Sequence, residues 1–175
     1  MDWYVVDKEY VNYLKQFDSK VGYVEYGSKL KLHLGIVLKV NGLDYYVPIS
    51  SPKPKHENMS NSVDFHKIQE DEGQLYAVLN INNMIPVPTK CVTQVKYDQI
   101  EKFRKFESVK EKTDYIYLLQ KEKKIIDSIQ NTIENKAKKL YAKCIKRPES
   151  ALANRCCQFK LLEEKAQLYI NGENR

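Results

Sequence analysis

The chain has 175 residues, enough for one domain spanning 1–175 with a genuine hydrophobic core, and no polar low-complexity tract marks extensive disorder. Its net charge of +6 favours an anionic partner, such as nucleic acid, by long-range attraction. The opening Met-Asp-Trp-Tyr-Val-Val-Asp has no basic region followed by an apolar run, and no apolar stretch reaches the roughly 18 residues of a membrane span. The expectation is a soluble, cytoplasmic protein with no membrane association. Cys91, Cys144, Cys156 and Cys157 show neither CxxC nor Cys/His ligand spacing, so reduced, buried thiols and no metal site are expected.

Trp3 to Val6 reads as an opening strand. Asp7 then caps a short helix whose Tyr10, Tyr13, Leu14 and Phe17 recur at helical spacing. Residues 18–31 lose that period and read as a basic, Tyr-rich loop containing Tyr23, Tyr26, Lys29 and Lys31. From Leu32 to Ile49 the apolar alternation, interrupted by Asn41-Gly42, predicts a β-hairpin, because both turn residues tolerate the positive φ of a type I′ turn. That alternation puts His33 opposite the leucines, on a face suited to surface or hydrogen-bonding duty; His66, in the next strand, reads the same way. Further strands are expected over residues 63–68 and 74–80, with Asp71-Glu72-Gly73 turning between them, and an extended segment over residues 84–87.

Asp98 and Glu101 fit a capping box ahead of Ile100, Phe103 and Phe106. Residues 114–143 carry Tyr115, Leu119, Ile126, Ile129, Ile133, Ala137 and Leu140 at helical spacing and read as one long helix that ends at Arg147-Pro148. A final helix buries Cys156, Phe159, Leu162, Ala166 and Tyr169 and stops at Gly172. Strands first and helices second indicate an α+β fold, a twisted, largely antiparallel sheet with helices packed on it.

The chemistry concentrates in Ile49-Ser50-Ser51-Pro52-Lys53-Pro54-Lys55-His56, where a strand exits through two prolines that stiffen the backbone. Hydroxyls, ammonium groups and an imidazole are displayed together. Cleavage of RNA without a metal gives this set a coherent use. The attacking nucleophile is the substrate's own 2′-OH, so the protein must align it, move protons and stabilise charge on the phosphoryl oxygens. No GxSxG, Walker loop, HExxH or acidic cluster suited to two metals is present. A non-catalytic RNA-binding regulatory module, or a protein-binding adaptor using its amphipathic helices, would share much of this composition.

Several segments, in order, resemble the ToxN/AbiQ endoribonuclease toxins of type III toxin–antitoxin systems. They are Tyr10-Val11-Asn12-Tyr13-Leu14-Lys15-Gln16-Phe17-Asp18, Leu34-Gly35-Ile36-Val37-Leu38, Pro48-Ile49-Ser50-Ser51-Pro52-Lys53, Asn83-Met84-Ile85-Pro86-Val87 and Leu161-Leu162-Glu163-Glu164-Lys165. The resemblance implies a fold similar to Kid/MazF toxins and no cofactor. It implies that cellular single-stranded RNA is cut to 2′,3′-cyclic phosphate and 5′-OH ends. It further implies inhibition by a small, repetitive, pseudoknotted RNA antitoxin that the toxin processes, a closed assembly in which protein and RNA alternate, and a role in phage defence. Carried over by position, Lys53, Ser51, Ser50, Lys31 and Tyr26 are the catalytic candidates. Lys29, Lys55 and His56 are candidate RNA contacts, and which group acts as base is left open.

Overall fold

The computed structural model describes residues 1–23, 25–27, 29–70 and 73–172. Strand β1 (Asp2–Val6) is followed by helix α1 (Lys8–Lys15), whose first turn is capped by the Asp7 carboxylate accepting from the Glu9 amide. Residues 18–31 are not a plain loop: β2 (Glu25–Tyr26) and β3 (Lys29–Leu30) pair as a short ribbon. The pairing places Lys29 on a strand that also bridges to Arg104.

The hairpin forms as its sequence dictates. Strands β4 (Leu32–Val40) and β5 (Leu43–Ser50) turn at Asn41 and Gly42, with φ of 52° and 76°. The alternation within β4 does not persist, because the register shifts between Leu34 and Leu38. His33, ahead of that shift, is buried, because both faces of the strand are covered at its start. Its Nδ1 lies 3.2 Å from the Lys31 carbonyl, an acceptor, so that nitrogen carries the proton. Burial lowers its pKa to about 4, which keeps the ring neutral.

After the short helix α2 (Pro54–Glu57) come β6 (His66–Gln69), β7 (Leu75–Leu79), β8 (Ile85–Val87) and β9 (Val92–Gln94). The strand predicted from residue 63 starts only at His66. Of the turn expected at 71–73, Asp71 and Glu72 lie outside the described residues; Gly73 has φ of 93° and donates its amide to the Glu70 carbonyl. The antiparallel sheet runs β6-β7-β5-β4-β1-β9, with β8 also on β5. Strand β5 therefore has β4 along one edge, and on the other β8 at Asp44–Tyr46 and β7 at Ile49–Ser50.

The capping box expected at Asp98 does not form; a 3-10 helix over Tyr97–Lys102, kinked at Gln99, occupies that place. The cap is instead Ser108, whose hydroxyl accepts from the Glu111 amide at the start of α3 (Val109–Ser128). The long apolar stripe is also two helices. Ile129 leaves helical geometry at φ −114°, ψ 14°, and α4 (Gln130–Lys146) continues beyond it. The break has a packing reason: α3 lies on β6 and β7, whereas α4 lies on β4, so one straight rod would not serve both. Helices α5 (Ala151–Asn154) and α6 (Phe159–Asn171) complete the chain, α6 ending at Gly172 with φ of 75°.

The core is continuous from Trp3, Tyr10 and Leu14 through Tyr45, Val47 and Ile85 to Ile133, Leu140 and Leu162. All four cysteines are free thiols and buried. No helix among the described residues is long and apolar enough to cross a membrane.

Candidate active site

The Pro52 and Pro54 exit from β5 ends in α2, whose first residue is Pro54 and whose third, His56, turns back on it. The Lys53 amide donates to His56 Nδ1 at 3.0 Å, and the His56 amide donates to the Lys53 carbonyl at 2.8 Å. His56 is thereby buried, its pKa lowered by burial and then by Lys55, Lys53 and Lys67. A neutral ring is the form that can accept the Lys53 amide, so the protein holds His56 in the state its structural contact needs.

This exit forms one wall of a groove enclosing about 370 Å³. Ser50, Ser51, Pro52 and Lys53 line it together with Lys29 and Lys31, which the β2–β3 ribbon and the start of β4 bring alongside. Five residues singled out by sequence, 24 positions apart at the extremes, thus share one cleft. Lys55 and His56 do not line it: Lys55 is exposed on α2, and His56 fixes the backbone of Lys53 from beneath. Tyr26 belongs to β2, and its side chain lies outside the described residues.

Within the groove the Lys31 Nζ donates to Ser50 Oγ at 2.8 Å, and Asn80 Nδ2 donates to the same oxygen at 3.3 Å. A hydroxyl oxygen that accepts twice directs its own proton elsewhere, so Ser50 can donate to an oxygen placed in the cleft. Burial, and then the neighbouring Lys53 charge, lower the Lys31 pKa to about 8. Near neutrality a usable fraction of Lys31 is therefore the free amine.

Helix α3 lines the cleft as well. Tyr115, Leu118, Leu119 and Glu122 fall at i, i+3, i+4 and i+7 and line the cleft from one helix face. Arg104, which enters through its backbone bridge to Lys29, donates to Glu111 at 2.6 Å and lies 4.3 Å from the Tyr115 ring centre. Burial raises the Tyr115 pKa against the opposing influence of Arg104, so the phenol is protonated. Glu122 is 4% exposed, and burial raises its pKa to about 8.

Arg104, Tyr115, Glu122 and Asn80 escape a reading of sequence alone. Glu122 carried a legible signal: it interrupts an apolar stripe, between Leu119 and Ile126. Arg104 gave none, because only folding brings it to Lys29. Two lysines of α3 and α4 have structural partners. Lys136 Nζ sits 2.7 Å from His66 Nδ1, whose ring is kept neutral by burial and by that ammonium, and Lys123 donates to the Met1 carbonyl at 2.6 Å.

Comparison with known proteins places the chain in a family. Residues 2–167 match the family described as toxin ToxN of the type III toxin–antitoxin system. The chain is 31% identical to the endoribonuclease AbiQ of Lactococcus lactis subsp. lactis over 95% of its length and 88% of that protein's. It is 30% identical to the endoribonuclease ToxN of Bacillus thuringiensis subsp. kurstaki over 95% of this chain and 83% of the other. Among solved structures, lactococcal AbiQ, an anti-phage endoribonuclease, superposes with a TM-score of 0.78 at 29% identity, covering 97% of this chain and 98% of that one. A bacterial type III toxin inhibited by a non-coding RNA pseudoknot superposes with a TM-score of 0.79 at 26% identity, covering 97% of each chain. The chain belongs to the ToxN toxin family of type III toxin–antitoxin systems.

Proposed function

We infer that the chain is an endoribonuclease toxin held in check by an RNA antitoxin, and that the cleft between the β5 exit and α3 is where it cuts single-stranded RNA. The observation that carries this reading is Lys31, a lysine brought near neutrality and bonded to Ser50 in a cleft that also holds Lys29, Lys53 and Arg104. Three cationic side chains, a lysine able to shed its proton and two hydroxyls suit a phosphodiester. Lys53 and Arg104 offset its charge, Ser50 and Ser51 donate to its non-bridging oxygens, and the neutral amine of Lys31 takes the proton of the attacking 2′-OH. The 2′-oxygen then displaces the 5′-oxygen, leaving a 2′,3′-cyclic phosphate and a 5′-OH.

The donor set favours a reaction that needs no metal. Among the described residues the one acidic side chain lining the cleft is Glu122, buried with its pKa raised to about 8, whereas a two-metal site needs several ionised oxygen ligands. Inhibition by a small repetitive pseudoknotted RNA, which the toxin processes and with which it alternates in a closed assembly, fits a basic cleft that can hold an RNA end. A part in phage defence has precedent in lactococcal AbiQ, an anti-phage endoribonuclease, and a cytoplasmic location would give the enzyme access to cellular RNA.

Incubation of the purified protein with RNA in excess EDTA, with the ends mapped, tests the reading. Cyclic-phosphate ends at discrete sites are expected. Tight, salt-sensitive binding with intact RNA would leave only a binding module.

A further inference from the structure

The amine of Lys31 accounts for one of the two proton movements that RNA transesterification needs. The other is a proton delivered to the departing 5′-oxygen, for which the cleft offers lysine ammonium groups and one carboxyl group on α3. The 2′-oxygen enters and the 5′-oxygen leaves roughly in line through phosphorus, so donor and acceptor belong on opposite sides of the scissile group. Lys31, between β3 and β4, and helix α3 come from separate chain segments that line the same cleft. The only carboxyl group that α3 presents to the cleft is Glu122. It is more than nine-tenths buried, its neighbours on the same helix face are Leu118, Leu119 and Tyr115, and Lys29, Lys31, Lys53 and Arg104 line the remainder.

We propose, on the basis of the endoribonuclease reading above, that Glu122 is the general acid of the cleft, donating its carboxyl proton to the 5′-oxygen as the bond to phosphorus breaks. The step balances. The 2′-oxygen bonds to phosphorus and its proton passes to the Lys31 amine; the bond to the 5′-oxygen breaks and the Glu122 proton moves to that oxygen. Lys31 is left as ammonium and Glu122 as carboxylate, and exchange with water restores both. Burial favours the protonated carboxyl, and an anionic phosphate entering the cleft favours it further, since a second negative charge there would be repelled. A structural glutamate on an apolar helix face would be expected to find a fixed partner. The cleft-lining position of Glu122 instead leaves its proton available to whatever occupies the groove.

A substrate whose leaving group needs no proton provides the test. Two RNA oligonucleotides of one sequence are compared at the mapped cut site, one normal and one carrying a 5′-bridging sulfur, which departs as thiolate. Wild-type protein should cut both. Glu122→Gln, isosteric and uncharged, should lose roughly 100-fold or more in kcat on the oxygen substrate while cutting the sulfur substrate within a few-fold of wild type. Equal activity of the variant on the oxygen substrate, or equal losses on both, would overturn the assignment. Wild-type pH profiles give the same decision without any variant. The oxygen substrate should lose rate above about pH 8 as Glu122 ionises, and the sulfur substrate should not; a falling limb shared by both would sink the proposal. Wild-type protein that cuts neither substrate removes the endoribonuclease reading itself, a result distinct from failure of the acid.

Discussion

Lys31 and Ser50, 19 positions apart, meet through a 2.8 Å hydrogen bond that ties the start of β4 to the end of β5. The bond fixes the ammonium and the hydroxyl with respect to each other, and Asn80, just beyond β7, locks the same hydroxyl oxygen from a third chain segment. If Ser50 donates to the scissile phosphate, Asn80 acts by orienting it. Asn80→Ala should leave the fold intact and lower kcat by about 10-fold with little change in KM, because a loosened rotor weakens a transition-state contact more than ground-state binding. Ser50→Ala should cost more, roughly 100-fold, and the double variant should be no worse than Ser50→Ala. Additive losses, measured by single-turnover cleavage, would show that Asn80 does not work through Ser50.

Lys53 is exposed, yet its backbone is held twice by His56. Lys53→Ala should abolish cleavage while the thermal midpoint stays within a degree or two, since an exposed side chain contributes little to folding. His56→Ala should behave differently. It removes a buried ring that packs on Phe65 at 5.6 Å between centres and frees the Lys53 amide, so it should cost roughly 1–3 kcal/mol of stability as well as activity. Urea unfolding of both variants beside their cleavage rates checks the contrast.

The hairpin, the caps at Asp7 and Gly172 and the clustered strand exit were readable because each rests on local chemistry: a positive-φ dipeptide, a side-chain acceptor, a proline-fixed backbone. The failures share a cause too. Nothing in the residues around Ile129 announces a break, with neither proline nor glycine nearby; the helix divides because its two halves face different strands. His33 takes the hydrogen-bonding duty its position suggested, but it does so buried, because both faces at the start of β4 are covered. The part of the cleft made by α3 and Arg104 was missed because these segments join Lys29 and Lys53 only through tertiary packing.

The Leu-Leu-Glu-Glu-Lys helix acquires a physical meaning at Glu163. Its carboxylate accepts from Tyr141 at 2.6 Å, Tyr45 at 2.9 Å, and Asn41 and Lys160 at 3.0 Å, joining α4, β5, the hairpin turn and α6. Burial alone would raise its pKa, but the bonds from Tyr141, Lys160, Tyr45 and Asn41 outweigh that and hold it below the ordinary value. A depressed carboxylate contributes stability that is present above its unfolded pKa and lost as pH falls through the folded one. Glu163→Ala should therefore destabilise by roughly 2–4 kcal/mol at pH 7, leaving two tyrosine hydroxyls without their acceptor, and the difference from wild type should shrink towards pH 3. A gap that does not change between pH 7 and pH 3 in chemical denaturation would argue against the ionised network.

Lys31 gives the opposite trade. Its pKa in the fold, about 8 against an ordinary 10.5, means that protonation is harder in the folded chain than in the unfolded one. The resulting penalty is complete below about pH 8 and fades as pH rises towards 10.5, where the unfolded chain also loses the proton. Lys31→Met keeps the apolar stem and discards the charge, so at pH 7 it should be more stable than wild type by on the order of 1–3 kcal/mol, reduced by partial exposure and by loss of the Ser50 bond. The same variant should cut RNA at least roughly 100-fold more slowly. Stability gained where activity is lost marks a charge retained for chemistry. Thermal melts at pH 7 and pH 10 decide it: the gain should be large at the first and small at the second, and a variant less stable than wild type at pH 7 would show that Lys31 is held for folding instead.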